Sequence, residues 1–174
     1  EIVYYKESDS DGIRYSSVSN VTRVAESITR AVKEAEEGLG IKITQAVVGM
    51  PKFPVRQKSN TAKAMDRGYA TDITAEDIEE LKTFAQDNYP LEHPDRESIY
   101  GAVAQSFSDG ENFQIIENEI IGMASDVLEG NFKIFIGKKN DLTKIDTVMT
   151  RIQVSAMRKY FTAESTAKAV LTPS

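Results

Sequence analysis

The fold of this chain is organised by residues 19–50, which read SNVTRVAESITRAVKEAEEGLGIKITQAVVGM. Apolar residues recur in the first half of this stretch at intervals of three and four. This spacing places them on one face of an α-helix, which has 3.6 residues per turn. The face consists of Val21, Val24, Ala25, Ile28, Ala31, Val32 and Ala35. The stretch therefore predicts one long amphipathic helix that buries this stripe.

Both ends of the predicted helix carry capping residues. Ser19 or Asn20 can accept hydrogen bonds from the first free backbone N–H groups. Gly38 and Gly40 accept the left-handed conformation that commonly ends a helix. The β-branched run over 43–48 then favours a strand. We therefore expect the helix to pass through a tight turn into a buried strand.

The composition is that of an ordinary globular protein. The chain has 174 residues, 40% of them hydrophobic and 28% charged, enough for one core or two small ones. A net charge of −6, with no basic cluster beyond Lys138 and Lys139, excludes nucleic acid as the main partner and favours basic partner segments. The absence of cysteine excludes disulfides and thiolate metal sites, which fits a reducing cytoplasm.

The chain begins at Glu1 without an initiator Met or a signal peptide, and it contains no apolar run near the ~20 residues that span a bilayer. We therefore expect an internal fragment of a longer protein, whose membrane link lies elsewhere.

The other segments predict a mixture of strands and helices. Strands are predicted over 1–8, 97–107 and 131–136, with shorter ones over 68–72, 113–116 and 159–162. One helix is predicted to begin at the Thr74–Asp77 capping box and to bury a stripe of Ile78, Leu81, Phe84 and Ala85. A second is predicted to begin at Asp141 as its cap, and a short third helix is predicted over 163–171. The polar residues 58–67 predict an exposed loop. This order favours an α+β module inserted into an α/β layer.

Catalytic patterns are missing from the sequence. It has no phosphate-binding glycine loop, no nucleophile elbow, no zinc-binding H-E-x-x-H and a single histidine, His93, which is expected in a surface loop. The acidic residues over 76–80 are expected on the solvated face of a helix, and Asp9 and Asp11 in a plain turn rather than a calcium loop. We therefore predict a protein that is not an enzyme; an enzyme using the carboxylates of 76–80 is the rival class.

Binding is the favoured class of function. Aromatic side chains beside predicted turns could anchor a partner, although an ordinary core position is the favoured interpretation for each of them. These are Phe53, Tyr69, Phe107 and Phe113.

The order of several motifs resembles the bacterial cell-division protein FtsA. The pattern N-x-x-x-V-x-x-x-I-x-x-A-x-x-x-A-E followed by G-I-x-I-x-x-x-x-V-G runs from Asn20 to Gly49. Later elements of the family follow in order along the chain. They are Ile73, Thr74, Glu76, Asp77 and Ile78; Ala104-Gln105-Ser106-Phe107; Gly122-Met123; and Leu128-Glu129. Ala104 and Ser106 depart from the proline and acidic residue usual in the family.

The resemblance implies a fold and a domain organisation. FtsA is an actin-like ATPase homologue with an SHS2 (strand-helix-strand-strand) subdomain inserted into its first domain. Residues 1–44 would be part of the actin-like (ribonuclease H-like) α/β subdomain, residues 45–138 the inserted SHS2 subdomain, and residues 139–174 the return to the actin-like part.

The resemblance also implies a role in cell division and septum formation. The family tethers the division-ring GTPase FtsZ to the inner face of the bacterial cell membrane at the division site. The inserted subdomain is implied in self-association and in binding the cytoplasmic tail of a later division protein. ATP is expected only in the full-length parent, with no cofactor or metal in this fragment. Contact with FtsZ and, through a C-terminal helix, with the membrane would come from missing parts of the parent.

A partner-binding surface is predicted at one end of the central strands. It would comprise Gln105, Phe107, Asp109 and Glu111, acidic enough to meet a basic tail. The alternative family is the actin-like pilus-assembly scaffold proteins, which share the inserted subdomain.

Overall fold

The computed structural model describes residues 2–50, 54–63, 69–162, 165–166 and 170. Its described part has a mixed α+β fold with small sheets. The described elements, in chain order, are β1 (Ile13–Arg14), β2 (Ser17–Val18), α1 (Val21–Leu39), β3 (Gln45–Gly49), β4 (Arg56–Lys63), β5 (Thr71–Asp72), α2 (Ala75–Asp87), β6 (Glu97–Ser108), α3 (Glu117–Ile120), β7 (Ala124–Ser125), β8 (Glu129–Lys138), α4 (Lys139–Arg151) and β9 (Ser155–Tyr160).

Contacts divide the chain into two compact units. Glu1–Pro54 and Lys138–Ser174 together form the flanking unit, and Val55–Gly137 forms the central unit. The predicted boundary after residue 44 lies ten residues before this division, because β3 pairs with β9 and so belongs to the flanking unit. The predicted end of the inserted segment at residue 138 lies one residue beyond Gly137.

The long helix predicted from residues 19–50 is confirmed as α1. Asn20 is its cap, since its Oδ1 accepts a hydrogen bond from the Arg23 backbone N–H at 3.1 Å. At the other end Gly40 has φ 66° and donates its N–H to the Glu36 carbonyl at 2.8 Å. A left-handed residue at this position is least strained as glycine, so Gly40 ends the helix.

The flanking unit packs α1 against α4 and pairs β3 with β9 in parallel. Lys144 Nζ donates to the Val18 carbonyl at 2.8 Å, and Arg151 Nη1 donates to Thr22 Oγ1 at 2.6 Å. The buried apolar side chains of the two helices are Val24, Ala25, Ile145, Val148 and Met149.

Three predictions in the flanking unit are wrong, and a fourth is displaced along the chain. The strand after α1 was expected to be buried, but β3 alternates exposed and half-buried residues, and Val47 is 60% exposed. Residues 2–8 form no strand, and Ile2 is 84% exposed, because no described strand pairs with this segment. Asp141 does not cap α4; the cap position is Lys138, and Asp141 is buried in the first turn. The strand predicted over 159–162 overlaps the observed strand only at residues 159 and 160, because β9 spans Ser155–Tyr160. The helix predicted over 163–171 falls largely outside the described residues.

The central unit is built on a three-stranded sheet in the order β4-β8-β6. β4 and β8 pair antiparallel, from Arg56 opposite Ile136 to Lys63 opposite Glu129. Helix α2 packs against β4 and β6. The core that they enclose includes Ala62, Ile78, Leu81, Ala85, Ala102, Phe107, Phe132, Ile134 and Ile136.

The start of α2 matches its prediction closely. Thr74 Oγ1 accepts from the Asp77 N–H at 3.2 Å, and Asp77 Oδ2 accepts from the Thr74 N–H at 2.7 Å, which completes the capping box. Ile78 is buried as predicted, whereas Phe84 is 49% exposed. The stripe is therefore narrower than the sequence indicated.

Two other predictions for the central unit are wrong. Residues 58–63 lie in β4 rather than in a loop, because Ala62 packs into the core and the Asn60 amide donates to the Ala85 carbonyl at 3.1 Å; residues 64–67 lie outside the described part. The predicted strand over 113–116 is a single bridge between Ile115 and Phe107, followed by α3. None of the described helices is both long enough and apolar enough to cross a membrane.

Candidate functional site

The four predicted partner-binding residues lie at the end of β6 and in the loop that follows. Gln105 is exposed on the strand, and Glu111 is exposed in the loop. Phe107 and Asp109 lie between them but have structural roles. The predicted surface is therefore only partly available to a partner.

Phe107 belongs to the core of the central unit. Its side chain is 1% exposed, and its ring meets the Phe132 ring edge-on, with centroids 6.2 Å apart and an interplanar angle of 87°. This geometry is favourable for aromatic pairs. Phe107 presents no surface to a partner in this conformation.

Asp109 holds the loop that follows β6. Its Oδ1 accepts from the backbone N–H groups of Asn112 at 2.6 Å and Glu111 at 3.0 Å, and its Oδ2 accepts from the Asn112 amide at 2.9 Å. The Asn112 backbone N–H is the main reason that the pKa of Asp109 lies below its usual value, since it stabilises the ionised carboxylate. Ser125 Oγ also donates to the Asp109 carbonyl at 2.9 Å.

Exposed residues are concentrated in the segment that runs from this loop through α3, residues 111–121, and we call their set the acidic tip. It consists of Glu111, Phe113, Ile116, Glu117, Glu119 and Ile121, all of them exposed. Phe113 is 71% exposed, so it differs sharply from Phe107 six residues earlier. The tip is ordered by the bridge at Ile115 and by the buried Ile120 of α3.

Negative charge is concentrated around the acidic tip. Residues 97–132 contain seven acidic residues and no Lys or Arg, while the whole chain carries −6. Glu97 and Glu129 are paired, with Arg56 at 2.8 Å and Lys63 at 3.0 Å. Within the described part of the chain, Glu111, Glu117 and Glu119 form no salt bridge. The negative charge of these three carboxylates can therefore attract a cationic partner.

The other acidic residues and the histidine considered in the sequence analysis have surface or capping positions. Glu76, Glu79 and Glu80 are exposed on α2, Asp77 serves the capping box, and His93 is exposed in a loop. Among the residues that the structure describes, no three His, Cys, Asp or Glu side chains are placed to hold a metal ion. Of the aromatic candidates, Tyr69 is exposed, and Phe53 lies outside the described residues.

Sequence reasoning identified Phe113 as a possible anchor but missed Ile116 and Ile121. The pattern F-x-x-I-E-x-E-x-I over 113–121 mixes apolar and acidic residues without a strand or helix period. This mixture of apolar and acidic residues in a short segment was the sequence feature that could have identified Ile116 and Ile121. An acidic surface with apolar side chains can hold a basic peptide through both charge and burial.

Comparison with known proteins gives no match: no protein-family model fits the chain, and no curated protein sequence is significantly similar to it.

Proposed function

We propose that this chain is a piece of an FtsA-like cell-division protein and acts as its protein-interaction module. The observation that carries the proposal is the way the chain is divided. The flanking unit is built from two separate segments, and one continuous segment between them forms the central unit. An inserted subdomain, as in FtsA, requires this arrangement.

The main elements of the central unit support the same proposal. Apart from the short elements β5, α3 and β7, the central unit runs β4, α2, β6 and β8, which is strand, helix, strand and strand, and the three strands lie in one sheet. This is the order that gives the SHS2 subdomain its name. The parallel pair β3-β9 with α1 and α4 is compatible with part of an actin-like α/β layer.

The proposed role is to bring later division proteins to the FtsZ ring at the inner face of the bacterial membrane. The acidic tip would receive a basic cytoplasmic tail, and the parent protein would supply ATP binding, FtsZ contact and membrane attachment. Self-association is a further role of the central unit in this proposal. A pilus-assembly scaffold is the second candidate, because the same divided chain would serve it.

Vesicle recruitment tests the division-ring role. The full reading frame that contains this chain is purified with FtsZ from the same cell, mixed with lipid vesicles and ATP, and sedimented. Co-sedimentation of FtsZ only when the parent protein is present is the expected result. A parent that binds vesicles and ATP but leaves FtsZ in solution would contradict the tether and favour the pilus-type scaffold.

Charge reversal tests the acidic tip. Glu111→Lys with Glu117→Lys should weaken binding of a Lys-rich cytoplasmic tail at least tenfold, because two attractive contacts become repulsive. The control is Glu79→Lys with Glu80→Lys, which makes the same change of net charge on the exposed face of α2. Equal losses in both variants would show that net charge, rather than the tip, governs binding. Asp109 is left unchanged because its carboxylate holds the loop.

A further inference from the structure

A groove in the flanking unit runs between α1 and the C-terminal end of α4. Its volume is about 520 Å³, a size usual for binding pockets. Thr22, Ala25 and Thr29 line it from one face of α1, since they lie three or four positions apart. Ile152, which follows α4, lines it from the other helix and is half-buried. The groove therefore offers apolar contacts from both helices.

Two arginines give this groove positive charge. Arg30 lines it from α1 and Arg151 from the last residue of α4, and both are exposed. Arg30 Nη2 donates to the Asp9 carbonyl at 3.2 Å and to Ser27 Oγ at 3.3 Å, while Arg151 donates to the Thr22 hydroxyl. All three acceptors are uncharged, and neither arginine forms a salt bridge with a residue that the structure describes. Because a guanidinium has five N–H donors, both arginines can still bind a carboxylate.

Glu26 is an acidic residue on the wall of the same groove. It lies four positions before Arg30 on α1 but forms no salt bridge with it. The groove thus has two positive side chains and one negative one among those that line it. This balance favours an anionic group, and Glu26 weakens the attraction.

The acidic tip of the central unit has the complementary chemistry. Glu117 and Glu119 are exposed and have no salt bridge within the described part of the chain, and Phe113 beside them is 71% exposed. A carboxylate can accept two parallel hydrogen bonds from a guanidinium, and an aromatic side chain gains from burial against apolar walls. One chain therefore carries both surfaces of a possible contact.

We propose that the acidic tip of one copy of this chain docks in the groove between α1 and α4 of a second copy. Glu117 and Glu119 then face the two arginines, and Phe113 enters the groove. Two different surfaces meet, so the interface is heterologous and further copies can add in the same way. A net charge of −6 opposes association of copies in general, whereas this arrangement joins surfaces of opposite charge.

This inference rests on the self-association proposed for the central unit and names the surface that receives the tip. Substitutions in the groove leave the tip itself unchanged, so they separate the two ideas. A chain that never self-associates but still binds the Lys-rich tail would remove this inference and leave the proposed function standing. Self-association without tail binding would do the reverse.

Sedimentation velocity of the 174-residue chain over a series of concentrations measures the association. We expect the average sedimentation coefficient to rise with protein concentration at low salt. The rise should be smaller at high salt, because salt screens exposed charges. A chain that remains monomeric at every concentration would overturn the proposal.

Charge reversal on either surface should disrupt the contact. Arg30→Glu with Arg151→Glu should weaken association about tenfold or more, because two attractive contacts become repulsive. Glu117→Lys with Glu119→Lys should have the same effect from the other surface. Loss of association in the groove variant but not in the tip variant would assign the groove to a different acidic segment and overturn the docking of the tip.

Two further variants separate local contacts from net charge. Arg14→Glu with Arg96→Glu makes the same change of net charge as the groove variant, at exposed positions that do not line the groove. We expect this control to associate like the unmodified chain, and an equal loss would contradict the docking. Glu26→Gln should strengthen association by roughly two- to fivefold, the effect typical of one exposed charge pair.

Mixing the groove variant with the tip variant tests whether two different surfaces meet. The first retains an intact tip and the second an intact groove, so the two variants should associate with each other although neither associates alone. Circular dichroism confirms that both are folded; if charge reversal unfolds the groove variant, Arg30→Gln with Arg151→Gln replaces it. Folded variants that do not associate in the mixture would overturn the proposal, because contact between two tips or two grooves would not be restored by mixing.

Discussion

Replacement of Phe107 tests whether this residue serves the core or a partner surface. Phe107→Leu removes the ring but keeps an apolar side chain. The loss combines the edge-on contact with Phe132, worth about 0.5–1.5 kcal/mol, with the unfilled part of the ring volume. We expect the free energy of unfolding of the central unit to fall by about 1–2 kcal/mol, and by about 3–5 kcal/mol for Phe107→Ala.

Urea titration followed by NMR peaks of the central unit measures this change. Residue-specific peaks are required because two units need not unfold in a single transition. With a denaturant slope of about 1–3 kcal/mol per molar, Phe107→Leu should lower the midpoint by roughly 0.3–2 M. Phe107→Ala lies near the limit of what a small unit tolerates, so Leu is the informative substitution.

Phe113 provides the matched control, since it is an aromatic residue in the same segment but 71% exposed. Phe113→Leu should change the free energy of unfolding by less than about 0.5 kcal/mol. Equal effects at the two positions would contradict the assignment of Phe107 to the core. Unchanged stability of Phe107→Leu together with loss of tail binding would instead restore Phe107 to the partner surface.

Three further predictions concern the loop, the sheet and a helix cap. Because its folded pKa is lowered, the Asp109 carboxylate stabilises the fold above its unfolded pKa near 4, and this contribution is lost as the pH falls through the folded pKa. Asp109→Asn should therefore make the urea midpoint depend less on pH in the acid range. A midpoint with the same pH dependence in both proteins would contradict this role of Asp109. Gly137→Ala places a Cβ 2.5 Å from Tyr100 Cζ, so a fall of about 1–3 kcal/mol is expected in thermal melts, while Gly49→Ala, with open space, should show little change. Thr74→Ala should cost about 1 kcal/mol in the same melts, and Thr74→Ser should retain most of the stability if the hydroxyl is the cap.

Local patterns in the sequence were sufficient for α1 and α2 and, apart from its cap, for α4, but not for the one-turn helix α3. The stripe and caps of α1 and the capping box of α2 depend on residues three or four positions apart, so their signals lie within a short window. The same is true of β6, whose residues read as a strand without reference to a partner.

Pairing between distant segments was not predictable in the same way. Residues 58–63 are polar and were expected in a loop, but β8, about seventy residues later, supplies the ladder that makes them a strand. Residues 2–8 show the reverse case, since a strand-like pattern forms no strand without a described neighbour to pair with. Strand formation depends on a partner whose position the local sequence does not contain.

The candidate site shows the same difference between what local sequence predicts and what tertiary contacts decide. The sequence by itself determined the acidic balance, the absence of catalytic motifs and the aromatic residues beside the β6 turn. Only the tertiary structure decided that Phe107 is buried against Phe132 while Phe113 is exposed, and that Asp109 is bound by its own loop. The physical reason is that burial and hydrogen bonding depend on which distant groups meet, whereas charge and periodicity are properties of the chain itself.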